Sequence, residues 1–77
     1  MQERNVVAEN IVRLRNKRRP PWTQKELAEK AGVSSPAISM IETGARTGLL
    51  KTLARIAEAL GVTLDKLFKA PKGGADE

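Results

Sequence analysis

Apolar side chains recur along the chain at steps of three and four residues, and no alternating strand-like pattern of useful length accompanies them. Steps of this size place side chains on one face of an α-helix. Val7, Ile11 and Leu14 form the first such face, in a helix predicted from Glu3 to Arg18. The chain contains only two aromatic residues and few β-branched runs, which also disfavours strands. The pattern predicts an all-α fold.

Basic residues and two prolines mark the end of this first predicted helix. Lys17, Arg18 and Arg19 lie where positive charge suits the C-terminal end of a helix dipole. Pro20 and Pro21 then end the helix, because proline cannot continue the backbone hydrogen-bond ladder.

A capping box marks the start of the second predicted helix. Thr23 is the N-cap and Glu26 the third helical residue, so that each side chain can bond the other's backbone N–H. Trp22 before the cap and Leu27 after it are spaced as a hydrophobic staple. Gly32 is predicted to end this helix in a left-handed conformation.

The third predicted helix follows almost at once. Ser34 is its N-cap, and Pro36 falls in the first turn, where proline is tolerated. Ile38 and Ile41 are predicted to point inward, and Gly44 closes the helix.

Two further helices are predicted before a polar tail. The fourth covers Leu50 to Leu60, with apolar residues at helical spacing and Gly61 as its C-cap. Thr63 caps a short fifth helix from Leu64 to Phe68. We expect a single domain over residues 1–70 and a flexible tail over 71–77.

Composition limits the ways in which so small a core could be stabilised. A chain of 77 residues buries only about 60% of its unfolded surface and is marginal as a monomer. It contains no cysteine and no histidine, which removes disulfides and the common ligands of zinc and copper sites. Self-association is the remaining support. We expect no metal, no cofactor and no small-molecule ligand.

Charge and hydropathy indicate the class of partner. No apolar run is long enough to span a membrane and no signal-peptide pattern is present, so we expect a cytoplasmic protein that makes no membrane contact. Outside the tail, 13 basic residues outnumber 7 acidic ones. An excess of basic residues favours a polyanionic partner, of which nucleic acid is the first candidate. A generic solvated surface would give the same excess of positive charge.

Residues 23–42 combine these signals in one motif: a helix, a short glycine-containing turn and a second helix. In this arrangement the second helix can enter the major groove of DNA while the first lies across the backbone. The sequence resembles the lambda-repressor-like (XRE-type) helix-turn-helix family, which includes phage repressors, restriction–modification controller proteins and many antitoxins. The residues that carry the resemblance are Ile11, Leu14, Arg15, Thr23, Gln24, Glu26, Leu27, Ala28, Ala31, Gly32, Val33, Ser34, Ile38, Ser39, Ile41, Glu42, Gly44, Leu53, Ile56, Ala57, Ala59, Leu60, Gly61, Val62, Leu67 and Phe68.

The resemblance implies a compact five-helix domain with the helix-turn-helix at helices two and three. It also implies base-contacting positions on the third helix, at Ser35, Pro36, Ser39 and Met40. Serine can bond almost any base edge, and an apolar tip such as that of Met40 can touch a thymine methyl group. The alternative is that Pro36 and Met40 only fill solvent-facing turns.

The resemblance also implies phosphate contacts and one structural ion pair. The phosphate-contacting positions are Gln24, Lys25, Thr43, Arg46 and Thr47. A helix N-terminus at Gln24 supports this role, since free amides point outward there, although glutamine is also merely compatible with a helix start. Arg15 and Glu42 are expected to pair and tie helix one to helix three. The run from Lys17 to Arg19 either approaches a phosphate backbone or is a solvated helix end.

Two departures from the family pattern are visible. The link between helices one and two, Arg18 to Trp22, is about two residues longer than in the family pattern. Gly48 and Leu49 stand where relatives often have a proline and a serine cap. This puts the phosphate contacts of the loop in doubt and allows Leu49 to be exposed.

The function implied is a sequence-specific regulator, a repressor or autoregulator, that binds a pseudo-palindromic site on double-stranded DNA as a homodimer with recognition helices about 34 Å apart. The candidate dimer interface is Leu49, Val62, Leu64, Leu67 and Phe68, although some of these side chains could instead close the monomer core. The alternative function is an antitoxin-like protein-interaction module. An enzyme is not expected, because nucleophile motifs, clustered carboxylates and phosphate loops are missing from the sequence.

Overall fold

Five α-helices account for most of the chain in the computed structural model, which describes residues 5–45 and 49–69. They are α1 (Val6–Asn16), α2 (Gln24–Ala31), α3 (Ser35–Thr43), α4 (Leu50–Leu60) and α5 (Leu64–Phe68). No strand occurs within the described residues. The all-α, five-helix fold predicted from the apolar spacing is confirmed. The proposed tail, residues 71–77, lies outside the described residues.

The capping signals position the helix starts as the sequence predicts. Thr23 Oγ1 accepts from the backbone N of Glu26 at 3.0 Å, and Glu26 Oε1 accepts from the backbone N of Thr23 at 2.8 Å. Ser34 Oγ accepts from Ala37 N at 3.2 Å. These bonds satisfy amides that have no acceptor within the helix. The capping box and the start of α3 are therefore confirmed.

The bounds of α1 differ from the prediction of Glu3 to Arg18. The helix begins at Val6, because Asn5 is its N-cap and accepts from the backbone N of Ala8 at 3.0 Å. It ends at Asn16, with Lys17 as the C-cap. The N–H of Trp22 then donates to Arg15 O at 3.2 Å, so the linker folds back against the end of α1. The helix therefore stops before the prolines are reached.

The core lies where α1, α2, α3, α4 and α5 meet. α2 packs on α3 and α4, whereas α1 packs on α3, α4 and α5. The fully buried side chains are Ile11, Leu27, Ile38, Ile41, Ile56, Leu67 and, unexpectedly, Asn10. Trp22 is half-buried and packs against this cluster, as its staple position predicts. None of the helices within the described ranges is long and apolar enough to cross a membrane.

Candidate nucleic-acid interface

The turn between α2 and α3 determines how α3 is presented. Gly32 adopts φ +72°, a conformation open to glycine because a side chain would crowd the backbone. The N–H of Val33 donates to Ala28 O at 3.0 Å, which closes the end of α2, and Val33 packs on the core. Ser34 then caps α3 immediately. The two helices are thereby joined by a turn of only three residues.

α3 has a buried side and an exposed side. Ile38 and Ile41 are fully buried against the other helices. Pro36, Met40 and Thr43 are exposed. A helix held by one face presents the other to a partner, and its width suits the major groove of DNA.

The structure brings all four predicted base-contacting residues onto this one helix. Pro36 and Met40 are exposed, with Met40 at 39%, whereas Ser35 and Ser39 are partly buried at its flanks. Thr43, predicted to contact phosphate, donates its hydroxyl proton to the backbone O of Met40 at 3.2 Å.

The predicted phosphate-contacting residues lie in two places. Gln24 and Lys25 are the first two residues of α2; Gln24 is partly buried and Lys25 exposed. Thr43 is exposed at the end of α3. Arg46 and Thr47 lie outside the described residues.

Gln24 makes a contact that the sequence did not predict. Its Nε2 donates to Glu42 Oε1 at 2.9 Å, which links the start of α2 to the end of α3. One of the two amide protons is used in this bond, and the other proton and the carbonyl oxygen remain for an outside partner. The side chain is thus held in place at the edge of the exposed face of α3.

Arg15 and Glu42 form the ion pair that the family resemblance implies. Arg15 Nε and Nη2 donate to Glu42 Oε2 and Oε1 at 2.9 and 3.0 Å. Arg15 Nη1 also donates to the backbone O of Trp22 at 2.8 Å. The side chains are only 14% and 5% exposed, so the pair is largely desolvated. It joins α1, the linker, α2 through Gln24, and the C-terminal turn of α3.

The charge of the described residues is positive, but it does not lie on α3. Residues 5–45 and 49–69 contain 11 lysines and arginines against 6 acidic residues. The only charged side chain of α3 is Glu42, which is paired with Arg15. The exposed face of α3 is therefore neutral, and the basic side chains belong to the other elements. The described residues include no cluster of acidic residues able to hold a metal ion.

The predicted dimer residues do not all share one surface. Leu67 is fully buried in the core, so the prediction that placed its side chain at an interface is corrected. Val62 and Leu64 pack partly on the core, and Phe68 is 49% exposed. Leu49 is 75% exposed but lies at the opposite end of α4 from Val62. The 11 residues of α4 span about 16 Å at 1.5 Å per residue.

Sequence comparison identifies the class. A helix-turn-helix family model matches residues 14–67, well over half of the chain. The chain therefore belongs to the helix-turn-helix family of DNA-binding transcriptional regulators.

Individual relatives carry the same description. The chain is 37% identical over 64 residues to the uncharacterized HTH-type transcriptional regulator YqaE of Bacillus subtilis, a match covering 83% of this chain and 53% of that protein. It is 38% identical over 63 residues to the uncharacterized HTH-type transcriptional regulator y4dJ of Sinorhizobium fredii, covering 82% and 79%. The chain thus spans about half the length of the Bacillus protein.

Solved structures have the same arrangement of helices. The N-terminal DNA-binding domain of SinR from Bacillus subtilis superposes with a TM-score of 0.76 at 27% identity, covering 86% of this chain and 94% of that domain. A chain from the SinR–SinI protein complex gives a TM-score of 0.73 at 28% identity, covering 82% and 60%.

Proposed function

We propose that this protein binds specific double-stranded DNA sites and represses or autoregulates transcription from them. One observation carries the proposal: α3 exposes a neutral face beside the start of α2, in a positively charged chain whose helices superpose on a DNA-binding domain. In this arrangement α3 enters the major groove and reads base edges through Ser35, Pro36, Ser39 and Met40. The cytoplasmic location expected from the sequence is part of the proposal.

The start of α2 is the proposed backbone anchor. Within α2, Glu26 N is already bonded to Thr23 Oγ1, and Leu27 N to Thr23 O. The amides of Gln24 and Lys25 precede these bonds and point out of the helix end, where anions are favoured. The free amide proton of Gln24 can join them on the same phosphate. Arg46 and Thr47, which follow α3 in the chain, are proposed as further phosphate contacts. The Thr43 hydroxyl joins them only by exchanging its bond to Met40 O for one to a phosphate.

The proposed active form is a homodimer on a pseudo-palindrome. The apolar surface of the proposed interface lies at α5 and consists of Val62, Leu64 and Phe68. Leu49 is proposed to contact the partner protomer separately, from the other end of α4. Self-association would add buried apolar area to a small helical body that has no cysteine to form disulfides. Phe68→Ser is expected to shift the protein toward monomer in analytical ultracentrifugation. Met40→Ser changes a residue proposed to contact DNA and should leave the monomer–dimer equilibrium unchanged.

A second candidate is a protein-interaction module of the antitoxin kind. Similarity to a chain of the SinR–SinI complex favours it, because that fold is solved there in the company of another protein. Under this candidate, DNA binding would be weak or indiscriminate.

The test is selection of binding sites from a randomised duplex pool, followed by titration of the selected duplex by fluorescence anisotropy. We expect an enriched two-part motif with half-sites one helical turn apart. Affinity for it should exceed affinity for random duplex by at least about a thousandfold and fall steeply with salt. Equal binding to every duplex, or no binding, would exclude the proposal.

Variants separate reading from anchoring. Ser35→Ala with Met40→Ala should lower the preference for the selected site by about tenfold or more, because lost base contacts are lost discrimination. Gln24→Ala should weaken binding to all duplexes alike. Ala54→Ser, on the exposed side of α4, is the matched control and should change neither. Thermal unfolding of each variant checks that the fold is retained.

A further inference from the structure

The most exposed residues of α3 form a single stripe that has no hydrogen-bond donor available to a base edge. Pro36, Met40 and Thr43 are spaced by four and three residues, so they lie along one face of the helix, and all three are exposed. We call this set the apolar stripe. Proline carries no N–H and no polar side-chain atom, and the methionine thioether is only a weak acceptor.

Thr43 completes the stripe because its hydroxyl is already engaged. Its Oγ1 donates to the backbone O of Met40 at 3.2 Å, within α3. A hydroxyl has one proton, so this bond leaves Thr43 without a donor for a base edge. Ser35 and Ser39, which do retain hydroxyl protons, are partly buried beside the stripe.

The charged and amide groups that usually read bases do not reach this surface from α3. Glu42 is bonded to Arg15 and Gln24 at 2.9 to 3.0 Å, and no lysine, arginine, asparagine or glutamine lies between Ser35 and Thr43. Bidentate reading of guanine by arginine, or of adenine by glutamine, is therefore not open to α3 itself.

One apolar group is available on base edges in the major groove, the methyl group at C5 of thymine. We propose that the apolar stripe of α3 selects DNA sites by contacting pyrimidine C5-methyl groups. The target half-site then carries thymines opposite Pro36 and Met40. Because 5-methylcytosine places the same methyl group at the same position, it is accepted there in preference to unmodified cytosine. This inference rests on the proposed DNA-binding function.

The size of the effect follows from the area that each methyl group buries. Removing one methyl group from an apolar contact should weaken binding about fourfold, and two such removals about fifteenfold. These factors are measurable against a site preference of a thousandfold or more.

The experiment uses the full chain and the selected duplex, with deoxyuridine in place of thymine at single positions and then together. We expect an about fourfold loss at each thymine that faces the stripe and little change elsewhere. In a second series, a facing T·A pair is replaced by C·G or by 5-methylcytosine·G. The methylated pair should bind more tightly than the unmethylated one.

Deoxyuridine also alters the stiffness of DNA, so protein variants complete the test. Met40→Gln keeps an unbranched side chain but adds an amide, and it should abolish the uracil penalty at one position. Ala54→Ser, on the exposed side of α4 and away from the stripe, should retain the penalty. A penalty that persists unchanged in Met40→Gln and Pro36→Ala would arise from the DNA and would overturn the proposal.

The two levels of failure are distinguishable. If uracil-containing and thymine-containing duplexes bind equally while a strong preference over random duplex remains, the stripe does not read methyl groups, yet the proposed function stands. If no duplex is preferred, both are overturned.

Discussion

The side-chain amide of Asn10 donates to the backbone carbonyl of Leu67 at 2.8 Å and so joins α1 to α5. The same Nδ2 lies 2.9 Å from Lys69 O and 3.3 Å from Lys66 O, and Asn10 Oδ1 accepts from Arg13 Nη2 at 3.2 Å. α5 has only five residues, and the last carbonyls of a helix have no partner within it. A fully buried side chain of α1 therefore ends α5.

Replacing Asn10 by alanine should lower the free energy of unfolding by about 2–3 kcal/mol, because buried carbonyls lose their donor. Urea unfolding followed by the fluorescence of Trp22, the only tryptophan, measures this change. Asn16→Ala is the matched control, an exposed asparagine on the same helix, and should change stability by less than about 0.5 kcal/mol. An Asn10→Ala midpoint equal to that of the wild type would show that the bonds contribute nothing.

Removal of either partner of the Arg15–Glu42 pair should cost about 2–4 kcal/mol, because a charge would be left in a largely desolvated site. The double variant should cost less than the sum of the single ones, since neither charge is then stranded. Chemical denaturation of all four proteins gives the coupling energy. Asp65→Ala breaks a solvent-exposed pair with Lys69 and should be nearly neutral. Additive single effects would contradict this account.

Gly32→Ala should destabilise the domain by about 1–2 kcal/mol, because an alanine at φ +72° brings its Cβ against the backbone. The added Cβ would lie 3.4 Å from Arg55 Nη1, the end of a flexible side chain that can move aside. The loss of stability therefore comes from backbone strain and not from a steric clash with a neighbouring residue. Gly32→Asn should cost less, since asparagine tolerates this conformation better. Differential scanning calorimetry ranks the three proteins, and an equal loss in both variants would exclude backbone strain as the cause.

Arg18→Ala should cost about 1–2 kcal/mol, because Arg18 makes two contacts that Arg19 lacks. Its guanidinium lies 4.4 Å from the centroid of the Trp22 ring, and its Nη2 donates to Leu60 O at 2.6 Å. Arg19→Ala is the control, an exposed arginine bonded only near its own position, and should be close to neutral. Arg18→Ala should lower the midpoint of thermal unfolding and change the fluorescence emission of Trp22. Identical unfolding curves for Arg18→Ala and Arg19→Ala would show that the two contacts of Arg18 do not stabilise the fold.

Helix starts and turns were accessible from the sequence because they depend on neighbours in the chain. Thr23 and Glu26 cap α2 over three residues, and Gly32 is required by the local backbone. The same local logic also places Asn5, a good N-cap, at the start of α1, yet the apolar spacing led to a start at Glu3. Periodicity locates a helix face better than it locates a helix end.

Which side chains are buried in α5 could be predicted less well from the sequence than the helix starts. Leu67 and Phe68 are adjacent and both apolar, and only the packing of α5 on α1 and α4 buries the first and exposes the second. Asn10 did carry a signal, since it lies three residues after Val7 and four before Leu14, on the apolar face of α1. A polar side chain at such a position is buried only where partners satisfy it, and the three carbonyl partners of Asn10 come from around α5, far along the chain.

By itself, the sequence determined the five helices and the helix-turn-helix at residues 23–42, because caps, glycine positions and apolar spacing act over a few residues. Tertiary structure alone decided that Gln24 bonds Glu42, that Asn10 ends α5 and that Leu67 is buried. These hydrogen bonds join residues 18 to 59 positions apart. Their partners come together only when the apolar faces of the helices pack, which no local pattern specifies.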